Sequence, residues 1–189
     1  MAAAIVVVWA IAVYNQLISL KNRYKNGFAQ IEVQLKRRYD LIPNLVNCAK
    51  AYLKHEKNTL EDVTKARDQA AAVLAEVVRD PSNAVVMREL AEKEQILSGA
   101  LNRLNITVEA YPELKADQTM ASLSEAITTT ENKIAFARQA FNDGVMRYNT
   151  YRQTFPNVAA AGVFGHGLNA ELLEFADRTA IQEAPRVSL

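Results

Sequence analysis

The chain has 189 residues, 50% of them hydrophobic and 23% charged, with 6 Gly and 5 Pro. That is the size of one ordinary domain, and the composition excludes both a disordered chain and a loop-rich β-sandwich. Lys plus Arg number 22 against 21 Asp plus Glu, so no global charge draws the protein toward nucleic acid. The one cysteine, Cys48, rules out an internal disulfide, a cysteine-based zinc site and an iron–sulfur cluster.

Residues 1–20 carry no Asp, Glu, Lys, Arg or His, and Met1 to Val13 is an apolar run containing Trp9. As a helix rising about 1.5 Å per residue, twenty residues reach roughly 30 Å, the thickness of a bilayer core. Asn15, Gln16 and Ser19 weaken the second half, and a short buried core helix passes the same length test. A secretory signal would carry a charged n-region before its apolar stretch, so an uncleaved anchor is expected. Lys21, Arg23 and Lys25 follow at once, then Lys36, Arg37 and Arg38, with Glu32 the one acid among them. Positive flanks stay on the cytoplasmic side, which predicts a single-pass anchor with a cytoplasmic body. Lys21, Arg23 and Lys25 are the expected contacts to anionic lipid headgroups.

Beyond the anchor, apolar residues recur at alternating three- and four-residue steps, the signature of helices packed at shallow angles. The first seam runs through Leu17, Leu20, Tyr24, Phe28, Ile31, Leu35 and Ile42. Gly27 is its weak point, and Pro43 predicts an end near Asp40. The second seam takes Val46, Ala49, Leu53, Glu56, Leu60, Val63, Arg67, Ala70, Leu74 and Val77 as one helix, stopped by Asp80-Pro81-Ser82. Ser82 is the predicted N-cap of a third helix built on Leu90, Leu97, Leu101, Leu104, Val108 and Tyr111. Tyr111-Pro112 ends it. The fourth seam extends from Leu123 through Ile127, Thr130, Ile134, Ala137, Phe141, Gly144, Tyr148 and Tyr151 to Phe155, where Pro156 stops it. A Gly/Ala-rich connection and tail occupy 156–189, with a short helix around Leu172 and Phe175. The expected fold is all-α: a membrane-spanning helix over 1–20 continues into a long antiparallel bundle of about four long helices over 21–155.

Catalytic and metal constellations do not assemble from this sequence. Ferritin-like Glu-x-x-His pairs fail, since Tyr52 and Val163 stand three residues before His55 and His166. His55-Glu56 opens a zincin-like pattern, but Thr59 occupies the second histidine position. Cys48 and His55 lie seven residues apart, about 10 Å along a helix, too far to share a proton. Gly162 to Gly167 lacks the Lys and Ser/Thr of a phosphate loop. No enzymatic activity and no cofactor are expected, and Lys36-Arg37-Arg38-Tyr39 is too small a basic footprint for nucleic acid.

Charged residues inside the seams are more informative. Glu56 and Arg67 are eleven residues apart, about 16 Å, so each needs a partner across the bundle. Arg37, Arg38, Asp40, Glu131 and Arg138 are the candidates. The preferred reading is a structural polar layer that fixes helix register; the alternative is a ligand-sensing site around Glu56 and Arg67. Val163 and Phe164, in an apolar segment flanked by glycines, are expected to meet another subunit or the membrane surface.

The run Asn22-Arg23 through Ala29-Gln30-Ile31-Glu32-Val33-Gln34-Leu35-Lys36-Arg37-Arg38-Tyr39-Asp40-Leu41-Ile42-Pro43-Asn44-Leu45-Val46 closely resembles the core signature of the LemA family. Tyr52, His55-Glu56 and Ala66-Arg67 resemble its next elements, as do Ala110-Tyr111-Pro112-Glu113-Leu114-Lys115-Ala116, Phe141-Asn142-Asp143, Tyr148-Asn149 and Phe155-Pro156. The similarity covers residues 14 to about 165 and is loose from 166 to 189. Gly27-Phe28, Ala51 and Met120 depart from the usual pattern. The resemblance implies a bacterial, membrane-anchored helical bundle without established enzymatic activity. Some members are exported lipoproteins with the domain in the periplasm, and one branch shapes magnetosome membranes, which suggests a membrane-organising role. A scaffold that self-associates into homo-oligomers in the cytoplasmic membrane, with the bilayer, itself and other membrane proteins as partners, is the resulting expectation.

Overall fold

A computed structural model describes residues 1–174. Six helices follow in order: α1 (Ala2–Lys50), α2 (Lys57–Arg79), α3 (Ala84–Glu109), α4 (Pro112–Lys115), α5 (Gln118–Gln153) and α6 (Asn157–Val163). No strand occurs among the described residues. Phe175 and the rest of the tail lie outside them, and Leu172 is in a non-helical segment instead of the expected short helix.

The four long helices run up, down, up and down. Tyr24 meets Ser82 and Lys25 meets Asp80, so α2 returns antiparallel along α1. Asp62 meets Arg103 across α2 and α3, and α5 lies along α1 with Tyr24 beside Tyr148 and Phe28 beside Phe141. Gly144 permits this last pairing at its tightest point. A Cβ on Gly144 would stand 3.2 Å from the Tyr24 Cβ, whereas one on Gly27 would meet the Phe141 Cα at an ordinary contact distance of 3.5 Å. The rings of Tyr24, Phe28, Phe141 and Tyr148 fill the space on either side with edge-on contacts of 5.4–6.1 Å between centroids.

Three boundaries differ from expectation. α1 does not end near Asp40 but runs through Pro43 to Lys50, because the carbonyl that the proline leaves unbonded finds a donor on α2. The second seam is split: residues 51–56 form a turn between α1 and α2. The apolar register passes through Val46, Ala49, Leu53 and Leu60 without interruption, and Leu53 is buried in the turn itself, so periodicity gives no sign of the break. The cap of α3 is Asn83, whose Oδ1 accepts from the amides of Val85 and Val86 at 3.0 and 3.4 Å. Ser82 instead accepts the Tyr24 hydroxyl at 3.4 Å.

At its amino end α1 stands alone only briefly. Met1 to Val8 are exposed, whereas Val13 and Leu17 are buried in the core. At this end α6 packs against both α1 and α5, and the Phe164 ring lies edge-on against Tyr14 at 5.3 Å.

Candidate functional site

The bundle carries a buried ionic cluster at its waist. Arg38 and Tyr39 are adjacent on α1 and both face inward, and Glu94 projects from α3 between them. The Arg38 guanidinium donates to Glu94 Oε2 and the Tyr39 hydroxyl donates to Glu94 Oε1. Glu131 on α5 approaches Arg38 Nη1 at 3.9 Å. Glu94 is 2% exposed and Arg38 4%, so pairing is required for either charge to be tolerated there. Burial also lowers the Arg38 affinity for its proton and holds the Tyr39 phenol well above its usual range.

A cavity of about 250 Å³ adjoins the cluster, lined by Arg38, Glu94, Ser98, Glu131, Asn132 and Arg138 among others. Arg38 Nε is buried there without a protein hydrogen-bond partner, so the cluster has unused polar capacity.

Of the residues expected to form a polar layer, Arg38, Glu131 and Arg138 come together. Arg37 and Asp40 do not: Arg38 and Tyr39 take the inward positions, which turns their two neighbours to the exposed face of α1. Glu56 sits at the start of α2 and makes no ion pair among the described residues. Arg67 pairs with Asp68 on its own helix at 2.9 Å and donates from Nε to the Tyr39 carbonyl at 3.0 Å. Neither forms the cross-helix charge pair anticipated, and the cavity that Arg67 lines with Tyr39 and Asp40 of α1 does not include Glu56. Glu94 was missed by sequence reasoning, although the third seam signals it. Leu90 and Leu97 are seven residues apart, and the intervening seam position on a helix is Glu94.

The other singled-out residues are dispersed. Arg23 is exposed, Lys21 is half-buried, and Lys25 pairs with Asp80 at 3.4 Å. Cys48 and Tyr52 both donate to Asp117, at 3.7 and 3.1 Å, while Asp117 Oδ1 caps α5 through the Met120 amide at 2.9 Å. Burial and the neighbouring carboxylate raise the Cys48 thiol, which keeps it protonated and poorly nucleophilic. Val163 is exposed and Phe164 half-buried on Tyr14.

A second polar arrangement fastens residues 166–174 to α5. Asn149 donates to the Ala170 carbonyl and accepts the Ala170 amide, both at 2.9 Å. Asn142, two turns earlier, does the same for Leu173 at 3.1 and 2.9 Å. Seven helical residues advance about 10 Å, and so do three extended ones, so the two asparagines read the segment main chain in register. Tyr148 meets His166 Nδ1 at 2.8 Å, Arg152 donates to the Gly167 carbonyl at 2.9 Å, and Arg88 of α3 pairs with Glu171 at 2.8 Å.

No curated protein matches the chain. The sequence model of the LemA family matches residues 27–189, and so extends through the segment held by Asn142 and Asn149, beyond the limit near residue 165 that motif resemblance alone set. With a match over that span, the protein belongs to the LemA family.

Proposed function

We propose that this protein is a non-enzymatic scaffold, anchored in the bacterial cytoplasmic membrane, that self-assembles there and presents its bundle to neighbouring copies or other membrane proteins. The observation that carries the reading is the continuity of α1. One 49-residue helix begins with exposed Ile5, Val6, Val7, Val8 and Ile11 and continues without a break as the spine against which α2 and α5 pack. Anchor and bundle are thus one rigid element, and copies tethered in one plane meet at raised effective concentration. Lys21, Arg23 and Lys25 support a cytoplasmic body. Ligand sensing by Glu56 and Arg67 has less support, since the two lie apart.

The test is the mass of the full-length protein in a mild detergent, by light scattering. A defined oligomer is expected, and a monodisperse monomer at all concentrations overturns self-assembly.

A further inference from the structure

The uncovered part of α1 is too short to cross a bilayer. Before Val13, the first residue fully buried in the core, lie twelve residues, of which Trp9 already packs in part against it; they make about 18 Å of helix against a hydrocarbon core of roughly 30 Å. The remaining 12 Å or so must come from residues 13–20, where one side of α1, at Val13 and Leu17, packs against the bundle while Tyr14, Asn15, Gln16 and Ser19 stay exposed.

The segment that packs beside it there is uncharged. From Gln153 to Ala170 the chain contains no Asp, Glu, Lys or Arg. Its exposed large apolar side chains are Phe155, Val158, Val163 and Leu168, at 85, 45, 83 and 86% exposure, and the exposed polar ones, Gln153, Thr154 and Asn169, lie at its two ends and are uncharged. His166 is turned inward onto Tyr148. The Arg152 guanidinium is buried and donates to the Gly167 carbonyl and to Asn169. Charge on the surface reappears with Lys21 and with the Lys25–Asp80 pair, where the turn between α2 and α3 marks the lower limit of those two helices.

We infer that residues 155–168, comprising α6 and its flanks, are a second membrane-contacting element that enters the lipid headgroup and upper acyl region beside α1. The inference rests on the anchor reading of α1 and deepens it: the bundle stands with this end in the bilayer. Lipid is the occupant because the patch is continuous with the uncharged first twenty residues and ends at the level where Lys21 begins the charged surface. Apolar side chains of interfacial elements reach about 5–10 Å below the headgroups, close to the depth that α1 lacks.

Single cysteines replacing Phe155, Val163 or Leu168 in a full-length Cys48→Ala background, labelled with an environment-sensitive nitrobenzoxadiazole dye and reconstituted in phosphatidylcholine–phosphatidylglycerol vesicles, test this. Doxyl groups on the acyl chains near the headgroup are expected to quench at least two of these labels several-fold more than a label at Phe136, which is exposed far along α5. Aqueous iodide is expected to do the reverse. A label at Val6 separates the two readings. If Val6 answers to doxyl lipid while the three test sites answer to iodide as Phe136 does, the inference fails and the anchor stands. If Val6 also answers only to iodide, both fail. Test sites shielded from both quenchers would be covered by protein, which overturns lipid contact in favour of a second copy.

Discussion

Arg67 Nε donates to the main-chain oxygen of Tyr39 at 3.0 Å, and Tyr39 is the residue whose helical hydrogen bond Pro43, four positions on, has no amide hydrogen to make. A side chain from α2 therefore repairs α1 at its proline and lets the helix continue to Lys50. Arg67→Leu should cost about 1–3 kcal/mol, the usual penalty for an unsatisfied buried acceptor. In a Pro43→Ala background the new amide can serve Tyr39 itself, and the same substitution should cost clearly less. Urea denaturation followed by circular dichroism measures both; equal costs in the two backgrounds would show that Arg67 acts elsewhere.

This bond also shows why the sequence disclosed some features and hid others. The four long seams were legible because burial imposes a period on every turn, and Phe28, Leu35, Leu101 and Phe141 all face the core as that period requires. The continuation of α1 past Pro43 was hidden because its cause sits 24 residues away on another helix. The turn at 51–56 was hidden because its residues keep the apolar register. Within the polar cluster, Arg38, Glu131 and Arg138 were recognisable as charges near seams, but which of Arg37, Arg38 and Asp40 turns inward depends on a helical phase that a basic run leaves open. Asn142 and Asn149 gave a hint in their seven-residue spacing. Their partners, the main chains of Ala170 and Leu173, have no sequence signature at all.

Arg38→Met removes one side of a buried charge pair and strands Glu94, a change expected to cost about 3–5 kcal/mol. The double variant Arg38→Met/Glu94→Leu should recover a large part of that loss, because no unpaired charge remains. Additive losses in the double variant would contradict the pairing. Tyr39 adds a pH signature. Its phenol is raised above the unfolded value of 10.0, so its contribution is full below pH 10 and is lost as pH rises beyond it. Tyr39→Phe should therefore flatten the alkaline fall in stability, without removing it, since burial also raises Tyr24 and Tyr148.

The segment held by Asn142 and Asn149 should loosen in mild acid. Burial first, and then the charge of Lys21, lower the His166 imidazole below its ordinary 6.5; Tyr148 and Arg152 face it from α5. A depressed histidine contributes stability above the unfolded pKa that is lost as pH falls through the folded one. Exchange of the Ala170 and Leu173 amides, corrected for intrinsic pH dependence, should accelerate below about pH 6.5, the ordinary His value. His166→Gln should remove that dependence, while Asn149→Ala should speed exchange at Ala170 at every pH. An unchanged pH response in His166→Gln would assign it to another group.

The buried core of the bundle begins at Val13, inside the uncharged stretch rather than at its end. Val13 and Leu17 are 2% and 0% exposed, so a fragment beginning at Ser19 loses two core side chains along with the exposed residues before them. Removing a buried Leu side chain costs about 2–5 kcal/mol, with a smaller sum for Val. A fragment beginning at Ile11 keeps both. The two should show similar helical circular dichroism per residue, with the longer fragment more stable by several kcal/mol in urea, roughly the sum of two such losses. Equal stability would mean that residues 13–17 belong to the anchor alone and that their burial contributes nothing to the bundle. A longer fragment that unfolds first would show instead that exposed Ile11 and Tyr14 need lipid cover for the amino end of α1 to fold.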